Sequence, residues 1–145
     1  MAKIIRATVT GETQAGESKD CTVRALANVT GIAYSEAHYL LETIGLRETN
    51  SGAYFSNYHK AYLQAGAKRI AFFGKKGVLR SKTVQDKTVI SGTYTGMTFE
   101  TALRHYHTGR YIFIMTGHAV AVINGQIYDT GARRAGRRMV AVFTF

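Results

Sequence analysis

The chain contains one cysteine, and the residues around it predict that it opens a helix. Across Cys21-Thr22-Val23-Arg24-Ala25-Leu26-Ala27-Asn28-Val29-Thr30-Gly31, Cys21, Ala25, Leu26 and Val29 fall on one stripe. Asp20 or Ser18 is the expected cap, and Gly31 the C-terminal stop. The first turn of a helix leaves backbone N–H groups unpaired, and with the macrodipole these favour an anion. A thiol placed there ionises more readily and becomes a better nucleophile. Adjacent Asp20 opposes that ionisation, and Lys19 and Arg24 offset it in part.

A nucleophile of this kind needs a base and a group to orient the base. Both are predicted on a hairpin near the end of the chain. In Gly117-His118-Ala119-Val120-Ala121-Val122-Ile123-Asn124-Gly125-Gln126-Ile127-Tyr128-Asp129-Thr130, the Asn-Gly pair separates two apolar runs. Both central residues of a type I′ turn need positive φ, which Asn and Gly tolerate best. With Asn124 and Gly125 as the loop, Asp129 stands opposite Val120, and His118 lies two residues along on the same face. Diagonal neighbours of this kind are about 7–8 Å apart, within reach of polar side chains. His118 is therefore the candidate general base and Asp129 the candidate orienter.

The elements that must position these groups read as helices first and strands second. A second helix is expected from Ser35, with Ala37, Leu40, Leu41 and Ile44 on its apolar face, Tyr34 and Tyr39 as a hydrophobic staple, and Gly45 after it. Ser56 is expected to cap a third helix bearing Tyr58, Ala61, Tyr62 and Ala65, ended by Gly66. From residue 68 the period changes. Arg69–Phe73 reads as a strand, while residues 78–96 are rich in Thr and Val without a clear period. Thr98 is expected to cap a helix carrying Phe99, Ala102, Leu103 and Tyr106, with Gly109 beyond it. Tyr111–Met115 is a continuous apolar run, as for a buried central strand. Met139–Phe145 is the last strand, and residues 3–10 a short edge strand. The expected fold class is α+β in a single domain spanning residues 1–145, with N-terminal helices packed on a C-terminal antiparallel β-sheet.

Composition narrows the setting. The 145 residues are 46% hydrophobic, enough for a folded core, and no apolar run approaches the length of a membrane span. The N-terminal stretch lacks a secretory h-region, and one cysteine forms no internal disulfide, so a cytoplasmic protein is expected, with no membrane partner. The net charge of +10 is unevenly distributed. Residues 1–59 hold five Lys and Arg against six Asp and Glu, whereas residues 60–145 hold fourteen against three. Arg133, Arg134, Arg137 and Arg138 form a basic loop suited to phosphate or an acidic protein surface. Nucleic acid and an acidic protein are the partner classes this asymmetry indicates, and a solvated basic face is the alternative.

Other chemistries find less support. His105 and His107 are two apart on a predicted helix and point to different sides, so no metal site is expected. Gly74-Lys75-Lys76-Gly77 lacks the phosphate-loop pattern, and no cofactor is expected. Most of the nine Tyr and seven Phe sit at core spacing rather than as a base-stacking surface.

Asp20-Cys21-Thr22-Val23-Arg24-Ala25-Leu26, followed far along the chain by Gly117-His118-Ala119-Val120-Ala121-Val122 and then Tyr128-Asp129-Thr130, resembles the papain-like cysteine peptidases in a reduced form. The look is nearest to the double-glycine (bacteriocin-leader-processing) peptidases and to small papain-like proteins of tailed phages. The resemblance implies a papain-like domain in which Cys21 is the nucleophile, His118 the general base and acid, and Asp129 the orienter of the imidazole. It implies hydrolysis of a peptide or other amide bond in a peptide or protein substrate, in the host cytoplasm if the chain is phage-encoded. Such families place a Gln six residues before the cysteine as an oxyanion donor; here Gln14 stands seven before it. The alternative is a catalytically inactive papain-like module that binds nucleic acid or a host or virion protein through the basic C-terminal half.

Overall fold

The computed structural model describes residues 4–5, 20–45, 47, 55–73, 80–84, 87–92, 97–115, 117–128 and 138–145. Helices α1 (Cys21–Thr30), α2 (Tyr34–Thr43) and α3 (Phe55–Gln64) precede most of the strands, and α4 (Phe99–His105) falls among them. The strands are β1 (Ile4–Ile5), β2 (Arg69–Phe73), β3 (Arg80–Val84), β4 (Lys87–Gly92), β5 (Arg110–Met115), β6 (His118–Ile123), β7 (Gln126–Tyr128) and β8 (Met139–Thr144). Among the described residues they make one eight-stranded sheet in the order β1-β7-β6-β5-β8-β2-β4-β3. Its middle, from β7 to β2, is antiparallel. Strand β1 adds in parallel to β7, and β4 in parallel to β2. The α+β class holds, and the sheet is larger than the sequence pattern predicts, because residues 80–84 and 87–92 pair antiparallel at its far edge.

The turn between β6 and β7 sets the register near the candidate site. Asn124 and Gly125 both have positive φ, 49° and 78°. Ala121 pairs with Tyr128, Val122 with Ile127 and Ile123 with Gln126, the pairing expected for a two-residue type I′ loop. The Asn124 side chain accepts from the Gly109 N–H at 2.9 Å, and its own N–H donates to the Gly109 carbonyl at 2.8 Å. The loop is thereby tied to the entry of β5.

Helices cover both faces of the sheet, which explains why β5 is a continuous apolar run. Alternate residues join different cores. Ile112 and Ile114 of β5, Ala119 and Ala121 of β6, and Ala141 and Phe143 of β8 pack with α1, α2 and α3. Phe113, Met115, Val120, Val122 and Val142 pack instead with Phe99 and Ala102 of α4. Along β8 the register shifts between Ile114 and Met115, so Ala141 and Met139 pair with consecutive residues of β5 and Val140 is the extra residue of a bulge. Alanines 119, 121 and 141 present short side chains to the helical layer, which allows α1 to lie close against β6.

Several local expectations hold for their stated reasons. Gly31 adopts φ 80° and returns its N–H to the Ala27 carbonyl at 2.9 Å, ending α1. Thr98 caps α4, its hydroxyl accepting from the Thr101 N–H at 3.2 Å. Others are corrected. Asp20 occupies the cap position of α1 but makes no capping hydrogen bond. Helix α2 begins at Tyr34 rather than Ser35, and no staple forms, because Tyr34 is buried against other partners while Tyr39 is 63% exposed. Ser56 lies inside α3, which begins one residue earlier. His107 lies beyond the end of α4 and meets the Arg104 carbonyl at 3.0 Å through Nδ1. Among the described residues no helix is long and apolar enough to cross a membrane.

Phe143 is fully buried beneath α3, with its ring centroid 4.8 Å from that of Tyr62 in an edge-on contact and 6.3 Å from that of Tyr58. Phe143→Ala is expected to lower unfolding free energy in urea titration by about 3–5 kcal/mol, as for other large-to-small changes in a core.

Candidate active site

The start of α1 meets the start of β6, and this brings Cys21 and His118 together although 96 residues separate them in sequence. Both side chains are half-buried. Strand alternation alone would place His118 with Val120 and Val122, on the side of the sheet away from α1. His118 is, however, the first residue of β6 and follows Gly117, which turns with φ 73°. At the end of the sheet its ring reaches the Cys21 sulfur and hydrogen-bonds it.

Burial is the largest influence on the Cys21 thiol and pushes its pKa up. Four effects in the other direction outweigh it. They are the His118 side-chain hydrogen bond, the backbone N–H of Ala119, the charge interaction with His118 and the backbone N–H of Thr22. The net result holds the thiol below its ordinary value. Sequence considerations anticipated the helix-terminal amide, here that of Thr22. The amide of Ala119 is a second donor, supplied by the strand that carries the histidine.

Helix α3 closes the site from the side. The Tyr62 hydroxyl donates to the Thr22 carbonyl at 2.8 Å, and the Tyr58 ring lies 5.2 Å from that of Tyr62. Both phenols are pushed upward, mainly by burial and in part by the charge of Cys21; for Tyr62 the nearby Tyr58 adds to the effect. Their spacing along α3 marks a buried face and nothing more. No local signal in the sequence indicates that this face packs on the first turn of α1.

Asp20 is 2% exposed. Its Oδ2 accepts from the Tyr34 hydroxyl at 2.8 Å, and its Oδ1 lies 2.9 Å from Arg24 Nε. That Arg24 contact is an ion pair whose N–H is not aligned for a hydrogen bond. Tyr34 therefore links α2 to the residue immediately before the cysteine.

Of the remaining residues singled out in the sequence, Gln14, Asp129, Arg133, Arg134 and Arg137 lie outside the described residues. Arg138 is exposed and bridges to Thr98 beside β8. Among the described residues no group of three or more His, Cys, Asp and Glu side chains could hold a metal ion. No family model matches the chain, and no curated protein or solved structure matches it.

Because the thiolate is the reactive form, a lowered thiol pKa moves reactivity to lower pH. Iodoacetamide labelling of folded Cys21 is expected to rise at lower pH than that of a free thiol. In His118→Ala the profile should move to higher pH, since two of the four lowering effects come from that ring. An unchanged profile in that variant would show that the imidazole does not govern the sulfur.

Proposed function

We propose that the protein is a cysteine-dependent hydrolase of the papain-like type, cleaving a peptide or other amide bond with Cys21 as nucleophile and His118 as general base and acid. The single observation that carries this reading is the His118 hydrogen bond to a cysteine at a helix start whose thiol is held below its ordinary value. A structural cysteine buried among apolar groups has its thiol raised instead. Element order supports the reading too: the helix bearing the cysteine comes first, and the strand bearing the histidine comes late and lies in the antiparallel middle of the sheet.

In this reaction the Cys21 sulfur attacks the amide carbonyl carbon, and the carbonyl electron pair moves to oxygen to give a tetrahedral oxyanion. The Cys21 backbone N–H, free of an intrahelical partner in the first turn, is the candidate donor to that oxygen, with Gln14 as a candidate second donor. The oxyanion collapses, the C–N bond breaks, and the His118 imidazolium gives its proton to the departing amine, leaving a thioester on Cys21. His118 then takes a proton from water as the hydroxyl oxygen attacks the thioester carbon. Loss of sulfur releases the carboxylic acid and restores the thiolate–imidazolium pair. Asp129 is assigned the orientation of the His118 ring.

The experiment is incubation of the full chain with a mixture of unstructured peptides, with products identified by mass spectrometry. Cleavage is expected with the native chain and is expected to vanish in Cys21→Ala. His118→Ala should reduce it by at least about a hundredfold, the usual contribution of a general acid–base. Cleavage undiminished in Cys21→Ala, or none with a peptide set broad enough to sample all residue pairs, would remove the peptidase assignment.

A further inference from the structure

Asp20 stands where a carboxylate ordinarily caps a helix, accepting from the N–H groups two and three residues on. Here it makes no such bond. Both carboxylate oxygens are engaged elsewhere, Oδ2 by the Tyr34 hydroxyl and Oδ1 by Arg24. We propose that Tyr34 and Arg24 act as positioning residues that hold the Asp20 carboxylate away from the first turn of α1, leaving that turn's amides to the Cys21 sulfur and balancing the carboxylate's charge beside it.

Two consequences of a free Asp20 side chain would harm the site. A capping carboxylate would compete with the sulfur for first-turn amides, and the amide of Thr22 is one of the groups that favours the thiolate. An unbalanced anion one residue from Cys21 would also repel that thiolate. The observed arrangement avoids both. Arg24 is one helical turn on from Asp20, so the guanidinium lies over the same end of α1 and offsets the carboxylate's charge locally. Tyr34 opens α2, is buried, and reaches back across fourteen residues to Oδ2. A buried carboxylate costs free energy unless its oxygens are paired, so the two contacts also account for how Asp20 is accommodated at 2% exposure.

The charged and titratable groups around Cys21, among the described residues, come from three directions. His118 approaches from β6, Tyr58 and Tyr62 from α3, and Asp20 and Arg24 belong to the start of α1 itself. The last pair is met by Tyr34 of α2. Helix α2 thus acts on the nucleophile through Asp20, which gives Tyr34 a use in place of the staple its position suggested.

The inference rests on the thiolate reading of Cys21 proposed above, and the test separates the two. Alkylation of Cys21 by iodoacetamide is followed against pH in the full chain, with circular dichroism as the check on folding. Tyr34→Phe and Arg24→Met should each slow labelling at neutral pH by roughly three- to tenfold, as the thiolate fraction falls by that factor. Arg24→Met keeps the stem of a partly exposed side chain, so it retains the fold even where loss of the buried Tyr34 hydroxyl does not. Adding Asp20→Asn to Arg24→Met should restore the rate, because the neutral amide no longer repels the sulfur and Tyr34 still holds it. Neutralising Asp20 also relieves the stability cost of an unpaired buried carboxylate, so rates are compared only between variants whose circular dichroism matches that of the native chain. Labelling at the native rate in Arg24→Met, or no rescue by Asp20→Asn, overturns the inference while leaving the hydrolase reading intact. If native Cys21 labels no faster than in the unfolded chain, both fall.

Discussion

The structure depends on the close packing of the first turn of α1 against the first residues of β6. Everything proposed for the site follows from that one junction. It requires that α1 lie near the sheet, and the sequence meets the requirement with alanine at 119, 121 and 141, three of the sheet positions that face α1, α2 and α3. Val120, Val122 and Val142, which alternate with them, fill the opposite core under α4. Larger side chains at the three alanine positions would lift the helix off the sheet and carry the sulfur away from the imidazole. The functional arrangement is therefore built into the side-chain volumes of the sheet as much as into the reactive residues.

Burial and polarity are balanced at this junction. Half-burial disfavours a charged sulfur, and a cysteine packed on this apolar face would ordinarily behave as a small hydrophobe. The opposing groups are close and directional: one imidazole and two backbone amides, one amide from the helix and one from the strand. Fixed donors in a partly dry setting interact more strongly with an anion than water-exposed groups do. Around them, Tyr62 holds the Thr22 carbonyl and Tyr34 holds the Asp20 carboxylate, so hydrogen bonds from two further helices secure the side chain before the cysteine and the backbone after it.

Local chemistry made much of this legible in the sequence. Asn124-Gly125 indicated a hairpin register that the structure reproduces in its three described pairs, because a two-residue loop with two positive φ angles suits those residue types. Gly31 and Thr98 marked helix ends for equally local reasons. Long-range contacts were less visible. Tyr34 followed by Tyr39 has the spacing of a staple, yet Tyr34 turns to Asp20, a partner fixed by how α2 packs on α1. Asp20 is one of two caps, with Ser18, that type and position suggest for α1, and tertiary partners claim its side chain instead. Strand parity grouped His118 with Val120, whose side chain packs in the core away from α1, yet at the strand's end the His118 ring meets Cys21. The weakly patterned stretch near residues 80–92 became strands through pairing with β2 and with itself, which periodicity does not register.

The central claim is that folding makes Cys21 a thiolate at lower pH than it would be in an unstructured chain. Ultraviolet absorbance of the thiolate, taken as the difference between the native chain and Cys21→Ala, follows that ionisation directly as pH is raised. The predicted result is a titration of the folded protein at distinctly lower pH than that of the same chain in denaturant. A folded titration coincident with the denatured one, or displaced to higher pH, would contradict it and make Cys21 an ordinary buried thiol.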